Sequence, residues 1–157
     1  MKLLFKQRFT LGLDKYDVYN EQGETVFSVR SRFAWGRKFE IYDRGGNLVG
    51  KLIGRAFMWF PTFEMYIGDR YVGRIQKKYT WFRPEFVVDC NGWNVEGNFW
   101  EFNYRITEYT GNTVATIDRG FSLIDSYTLD IYDDADALAV LMLVIAIDAE
   151  KDTRNNF

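Results

Sequence analysis

From Ala137 to Ile147 the chain runs ALAVLMLVIAI, eleven residues without one polar side chain, inside a protein that otherwise alternates apolar and charged positions. Asp133, Asp134 and Asp136 precede the run, where helix N-caps and first-turn acids belong, and Lys151 and Arg154 follow it. The spacing predicts a helix over about 134–149. A helix that is apolar around its whole circumference must be buried on every side. Sixteen helical residues span only about 24 Å, short of the ~30 Å hydrocarbon core of a bilayer. The segment is therefore expected to be a core helix, and the rest of the chain must supply a coat for it.

The coat is a repeated hairpin. YDVYNEQGETVFSV from Tyr16, FEIYDRGGNLVGKLI from Phe39, FEMYIGDRYVGRI from Phe63, FVVDCNGWNVEGNF from Phe86 and YRITEYTGNTVATI from Tyr104 each give a period-2 strand, a Gly-bearing turn and a second strand. With KLLFKQRF at the start and SYTLDIYD before the helix, about twelve strands follow one another with no helix between them. Eight strands fill their own barrel, whereas a wider barrel leaves a lumen, and a helix with its side chains is ~10–12 Å across. The expected fold is mainly β: a closed up-and-down barrel of about twelve strands (residues 2–132) enclosing the hydrophobic helix. Gly50, Gly73 and Ala115 are expected to let the wall approach that helix. Two prolines and no Ser/Gly-rich linker in 157 residues argue for one domain over 1–157.

The single cysteine, Cys90, excludes an intramolecular disulfide and paired-Cys metal motifs. Lys6 and Arg8 interrupt the apolar run that a signal peptide would need, so a cytoplasmic protein, at most peripheral to a membrane, is expected. Charge is unevenly placed. Residues 1–83 hold 16 Lys/Arg against 8 Asp/Glu, and residues 84–157 hold 4 against 14. Such asymmetry can mark a site for anionic partners. The simpler expectation is that the halves meet in one domain and neutralise each other.

The run WFRPEFVVDCNGWNVEGNFWEFNYRI, the SYTLDIYDDADALAVLMLVIAID ending and the FEIYDRGGN and FEMYIGDRYVGRI hairpins resemble the LURP-one-related family over nearly the whole chain. That family is similar in fold to the C-terminal domain of Tubby and to phospholipid scramblases, which implies a twelve-stranded barrel threaded by a hydrophobic helix. Tubby domains bind phosphoinositide head groups through basic residues, and scramblases act at membranes. The resemblance implies no catalytic residues for this chain.

The chemistry-bearing motifs are few. GGNLVGK at 45–51 follows the P-loop spacing up to its lysine, but Leu52 stands where Ser or Thr must hold Mg²⁺, and the motif occupies a hairpin turn. With no histidine the usual general base and metal ligand are missing, no serine lies in a G-x-S-x-G context, and nothing activates Cys90. No enzyme and no cofactor are expected, and a hydrolase ranks last. Asp130, Asp133, Asp134 and Asp136 form the densest oxygen-ligand cluster, but helix capping accounts for acids there, and no metal site is expected.

Two links between hairpins are basic and aromatic. They supply Arg30, Arg32, Trp35, Arg37 and Lys38 from the first, and Lys77, Lys78, Trp81 and Arg83 from the second. Tryptophan settles at the water–lipid boundary, and each nearby cation adds ~1 kcal/mol to binding an anionic surface. The competing expectation, favoured by ordinary packing, is that the tryptophans plug the barrel ends while the cations keep the rim soluble. The leading functional expectation is a non-catalytic intracellular module that binds an anionic phospholipid head group or similar phosphate at these residues. The alternative is a protein-interaction or scaffold barrel that meets another protein through an exposed edge or aromatic patch. A pI near 5.3 argues against nucleic acid.

Overall fold

A computed structural model of the chain describes residues 1–6, 15–32, 37–55, 60–79, 81, 84–98, 101, 103–120 and 126–152. Alternating apolar residues separated by glycine turns give twelve strands. These are β1 (Lys2–Lys6), β2 (Lys15–Tyr19), β3 (Thr25–Arg32), β4 (Lys38–Asp43), β5 (Leu48–Arg55), β6 (Thr62–Ile67), β7 (Arg70–Tyr79), β8 (Pro84–Cys90), β9 (Trp93–Asn98), β10 (Asn103–Glu108), β11 (Thr113–Gly120) and β12 (Ser126–Ile131). They form one antiparallel meander in which β1 pairs with β12, so the sheet order runs from β8 through β1 and β12 to β9. The wall is a nearly closed barrel rather than the closed one expected, because no ladder joins β8 to β9.

The helix α1 (Ala137–Asp152) supplies the filling. It begins three residues later than the acids suggested, after a 3₁₀ turn over Asp134–Asp136 whose N-cap is Asp133: the Asp133 carboxylate accepts from the Ala135 N–H at 2.9 Å. Every residue from Ala139 to Glu150 is buried. One core holds the helix together with the inward residues of the wall, among them Leu3, Val29, Ile41, Leu52, Met65, Ile106, Ile117 and Leu129. A β-carbon on Gly50 would stand 3.1 Å from Met142 Sδ and 3.3 Å from Leu138 Cδ1, so β5 approaches α1 there as expected. Gly73 serves a different neighbour. Its β-carbon would lie 2.0 Å from the Asp89 carbonyl oxygen on β8, so it is the β7–β8 contact that excludes a side chain.

The meander sorts the strand ends. Odd-numbered strands finish, and even-numbered strands begin, at one end of the barrel, the odd end. The turns after even-numbered strands, with the passage from β12 into α1, gather at the other. The helix enters at the even end and finishes at the odd end, beside Arg37 and Lys77. No helix among the described residues is long and apolar enough to cross a membrane.

Candidate functional site: a basic arc and the end of the central helix

Strand alternation divides the basic residues into an inward and an outward set. On β7, Gly73, Ile75 and Lys77 are buried while Arg74 and Lys78 are exposed. Lys77 is only 3% exposed, and its ammonium donates to the Glu150 carbonyl oxygen at 3.3 Å. Arg37, half-buried just before β4, donates from Nη1 to the neighbouring Ala149 carbonyl. The last carbonyls of a helix have no intrahelical donor and carry the negative end of its dipole, so two cations converging there satisfy both needs. The basic links thus meet at the end of α1, and these two side chains are committed to it.

Other polar groups sit inside the same end of the barrel. Tyr127 donates its hydroxyl to Asp148 Oδ1 at 3.2 Å, and its ring stacks on Phe5 with centroids 5.0 Å apart. Burial pushes the Tyr104 hydroxyl well above its ordinary value of 10.0, with the Asp148 charge adding to the shift. Burial likewise raises the Glu150 carboxyl above 4.5, against the opposing pull of Lys77 and then Arg37. A carboxyl whose folded value is raised holds its proton more tightly folded than unfolded. Its contribution to stability is therefore present below the ordinary value and is lost as pH rises through the folded one. Glu150→Gln is expected to match the parent in urea midpoint near pH 4.5, the ordinary Glu value, and to exceed it at about pH 8. Paired urea titrations at the two pH values check this.

The outward set lies on the barrel wall. Arg32 and Lys38 stand opposite each other on β3 and β4, and both pair with Glu40, at 3.5 and 3.1 Å. Glu40 also accepts from the Tyr42 hydroxyl at 2.6 Å, which, ahead of its cations, holds its carboxyl below the usual value, and Arg30 lies over the Tyr42 ring at 4.8 Å. The neighbouring repeat copies the device: Tyr66 donates to Glu64 at 2.9 Å, and Arg55 pairs with Glu64 at 2.8 Å. The shared F-E-x-Y of FEIY and FEMY was the sequence signal for this ladder, and Glu40 and Tyr42 were not singled out from it. Lys15, opposite Arg30 in register, was also missed, and only the β2–β3 pairing reveals it. Among the described residues no carboxylate lies within 4 Å of Lys15, Arg30 or Lys78.

Trp81, between β7 and β8, is 98% exposed, which overturns the expectation that it plugs the barrel end. Trp93 is the buried tryptophan among the described residues, and it opens β9 at the opposite end. Trp35 and Arg83 lie outside the described residues. Of the nine residues singled out, then, Arg30, Arg32 and Lys38 group on the β3–β4 wall. Lys78 and Trp81 stand at the end of β7, while Arg37 and Lys77 turn inward.

The expected neutralisation of one half of the chain by the other is also corrected. Among the described residues, six side-chain ion pairs join residues within 1–83, one joins residues within 84–157, and only the Met1 amine with Asp134 spans the two. The cause is topological. In a meander the neighbours of a strand in the sheet are its neighbours in sequence, so charge segregated along the chain becomes charge segregated around the barrel. The arc β2–β7 is basic and the arc β8–β12 acidic. Among the described residues no group of three or more Cys, Asp or Glu side chains is placed to hold a metal ion.

A family model described as LURP-one-related matches residues 1–148. A curated relative, the uncharacterized protein YxjI of Bacillus subtilis (strain 168), is 25% identical over 149 residues, covering 94% of this chain and 92% of that protein. An X-ray structure of a protein from Arabidopsis thaliana superposes with a TM-score of 0.66 at 13% identity, covering 94% of this chain and 90% of that one. At that identity the likeness speaks for the fold alone.

Proposed function

The chain belongs to the LURP-one-related family, and from that premise we propose that it is a non-catalytic binding module whose basic arc takes an anionic phospholipid head group or a similar phosphate ligand. The observation that carries the reading is Trp81, 98% exposed and three residues from the exposed Lys78, at the barrel end that also carries Arg30, Arg32 and Lys38. An indole held in water costs free energy that a water–lipid interface recovers. Among the described residues Arg30, Arg32, Lys38 and Lys78 form no ion pair with the acidic arc, and they supply the attraction to an anionic surface. The resemblance to Tubby domains, which bind phosphoinositide head groups through basic residues, points the same way. Arg37 and Lys77 play a supporting part, since they already serve the helix end.

Co-sedimentation with vesicles of phosphatidylcholine alone or mixed with phosphatidylserine, with free inorganic phosphate as a competing arm, tests the reading. The protein is expected to pellet with the anionic vesicles only, and less as salt rises. Arg30→Glu, Arg32→Glu and Lys78→Glu together are expected to weaken binding by at least ~100-fold, from ~1 kcal/mol per cation lost. Trp81→Ala is expected to weaken it further. Equal, negligible pelleting with both vesicle types overturns the proposal. Competition by free phosphate at low concentration transfers it from a lipid surface to a soluble phosphate ligand.

A further inference from the structure

The two charged arcs stand back to back. Residues 15–79, from β2 to β7, hold twelve Lys/Arg against seven Asp/Glu, and residues 84–131, from β8 to β12, hold two against eight. In the sheet order β3 lies six strands from β9, and β4 six strands from β10. In a nearly closed wall of twelve strands that is half a turn, so the middle of the basic arc and the middle of the acidic arc face opposite ways. One barrel cannot bring them together. Two copies can, and a net charge of −2 raises little repulsion between them.

Both arcs carry unanswered charge at the same level of the wall. Lys15 opens β2 at the odd end, directly opposite Arg30 on β3, and both are exposed. Like charges set opposite each other across a ladder destabilise it, and among the described residues no carboxylate lies within 4 Å of either. On the far side, Asp118 stands opposite Asn103, the first residue of β10. The Glu101 N–H donates at 3.3 Å to the side chain of Asn98, the last residue of β9. Both acids therefore also lie at the odd end. Both are exposed, and among the described residues neither has a cation within 4 Å. Arg105, the cation of β10, is held by Glu96 at 3.0 Å. Sliding one barrel sideways against another, without tilting it, sets Glu101 and Asp118 against Lys15 and Arg30.

We infer that the protein associates with itself, the acidic wall of one copy against the basic wall of the next. The two surfaces are different patches of one molecule, so the contact is heterologous, and because they face opposite ways it does not close on itself. Successive copies form an open row with every odd end on the same side. Electrostatic complementarity of this kind sets partner and orientation more than affinity, so the row is reversible and sensitive to salt. Arg30 serves both this contact and the proposed anion site, so a bound phosphate group and a neighbouring copy compete for it. The inference itself needs the charged arcs and not the lipid.

Sedimentation velocity at rising protein concentration tests the inference, in salt of about 0.01 M, where the Debye length is ~30 Å, and of about 1 M, where it is ~3 Å. At low salt the weight-average mass is expected to climb with concentration past that of a dimer, and at high salt to stay at the monomer value. Lys15→Gln with Arg30→Gln removes one surface, and Glu101→Gln with Asp118→Asn removes the other. Each double variant alone is expected to stay monomeric, with a melting temperature no lower than the parent's. Mixed, the two variants hold one intact surface each and are expected to form a one-to-one complex that grows no further. The Glu101→Gln, Asp118→Asn variant is expected to pellet with anionic vesicles as the parent does, which separates a failure here from a failure of the lipid reading. A parent that stays monomeric at low salt overturns the inference. So does a mass that levels off at a dimer, association kept by either variant alone, or a mixture that does not associate.

Discussion

Val144→Asp will leave the chain without a cooperative unfolding transition. Val144 sits in the middle of α1, 0% exposed, flanked by Leu141, Leu143, Ile145 and Ile147 and enclosed by the barrel wall. A carboxylate placed there is taken out of water into the apolar core that Val144 now fills. Removing an unpaired charge from water costs several kcal/mol even after relaxation, which is comparable to the ~5–15 kcal/mol that holds a domain folded. The milder Leu143→Ala removes buried methyl groups without adding charge, and is expected to cost about 2–5 kcal/mol. Far-UV circular dichroism during heating distinguishes the three chains: a sigmoidal melt for the parent, a lower one for Leu143→Ala, and none for Val144→Asp. A normal melt for Val144→Asp would mean that α1 is not enclosed.

The second large effect is on the wall. Gly73 has φ +151°, and a β-carbon there would lie 2.0 Å from the Asp89 carbonyl oxygen, 2.8 Å from Cys90 Cβ and 2.9 Å from Cys90 Cα. Two of those three atoms are backbone, so β7 and β8 would have to separate at the Gly73–Cys90 pair before alanine fitted. Gly73→Ala is expected to cost about 4 kcal/mol, near the top of the range for single substitutions, and to lower Tm by roughly 8–16 °C for a chain of this length. Gly50→Ala is the control. Its β-carbon would meet Met142 Sδ at 3.1 Å and Leu138 Cδ1 at 3.3 Å, ends of flexible side chains that can shift. Overpacking of that kind costs about 1–3 kcal/mol. Calorimetry of the two variants should therefore rank Gly73→Ala well below Gly50→Ala.

The fold was legible because its two strongest signals are local. The unbroken apolar run at 137–147 allows only burial, and a glycine turn between alternating segments allows only a hairpin. The same local logic failed at β8–β9, where Asn91-Gly92 makes its turn but the strands do not pair; barrel closure depends on all twelve strands at once. The site was legible in part. Lys77 and Lys78 are consecutive on a strand, as are Phe39 and Glu40, so one of each pair must face the core. Alternation alone therefore separates Lys77 from Lys78, although one link supplies both. What no local pattern could give is the reason for a cation inside the barrel: the carbonyls of Ala149 and Glu150 lie far away in sequence from Arg37 and Lys77. The lateral separation of charge, in contrast, was fully implied by a meander and was overlooked.

The pairing of β1 with β12 and the late position of α1 bear on how such a protein is made. A ribosome delivers all twelve staves before the plug they surround, and the first stave waits for the last before the ring can tighten. Until then the oily lining of the half-built wall stands open to water. Non-local closure of this sort is slow, and a nascent chain held in that state is open to association with its neighbours. In the cell, a holding chaperone at the ribosome would matter more for this architecture than for one whose interior is filled as each strand emerges.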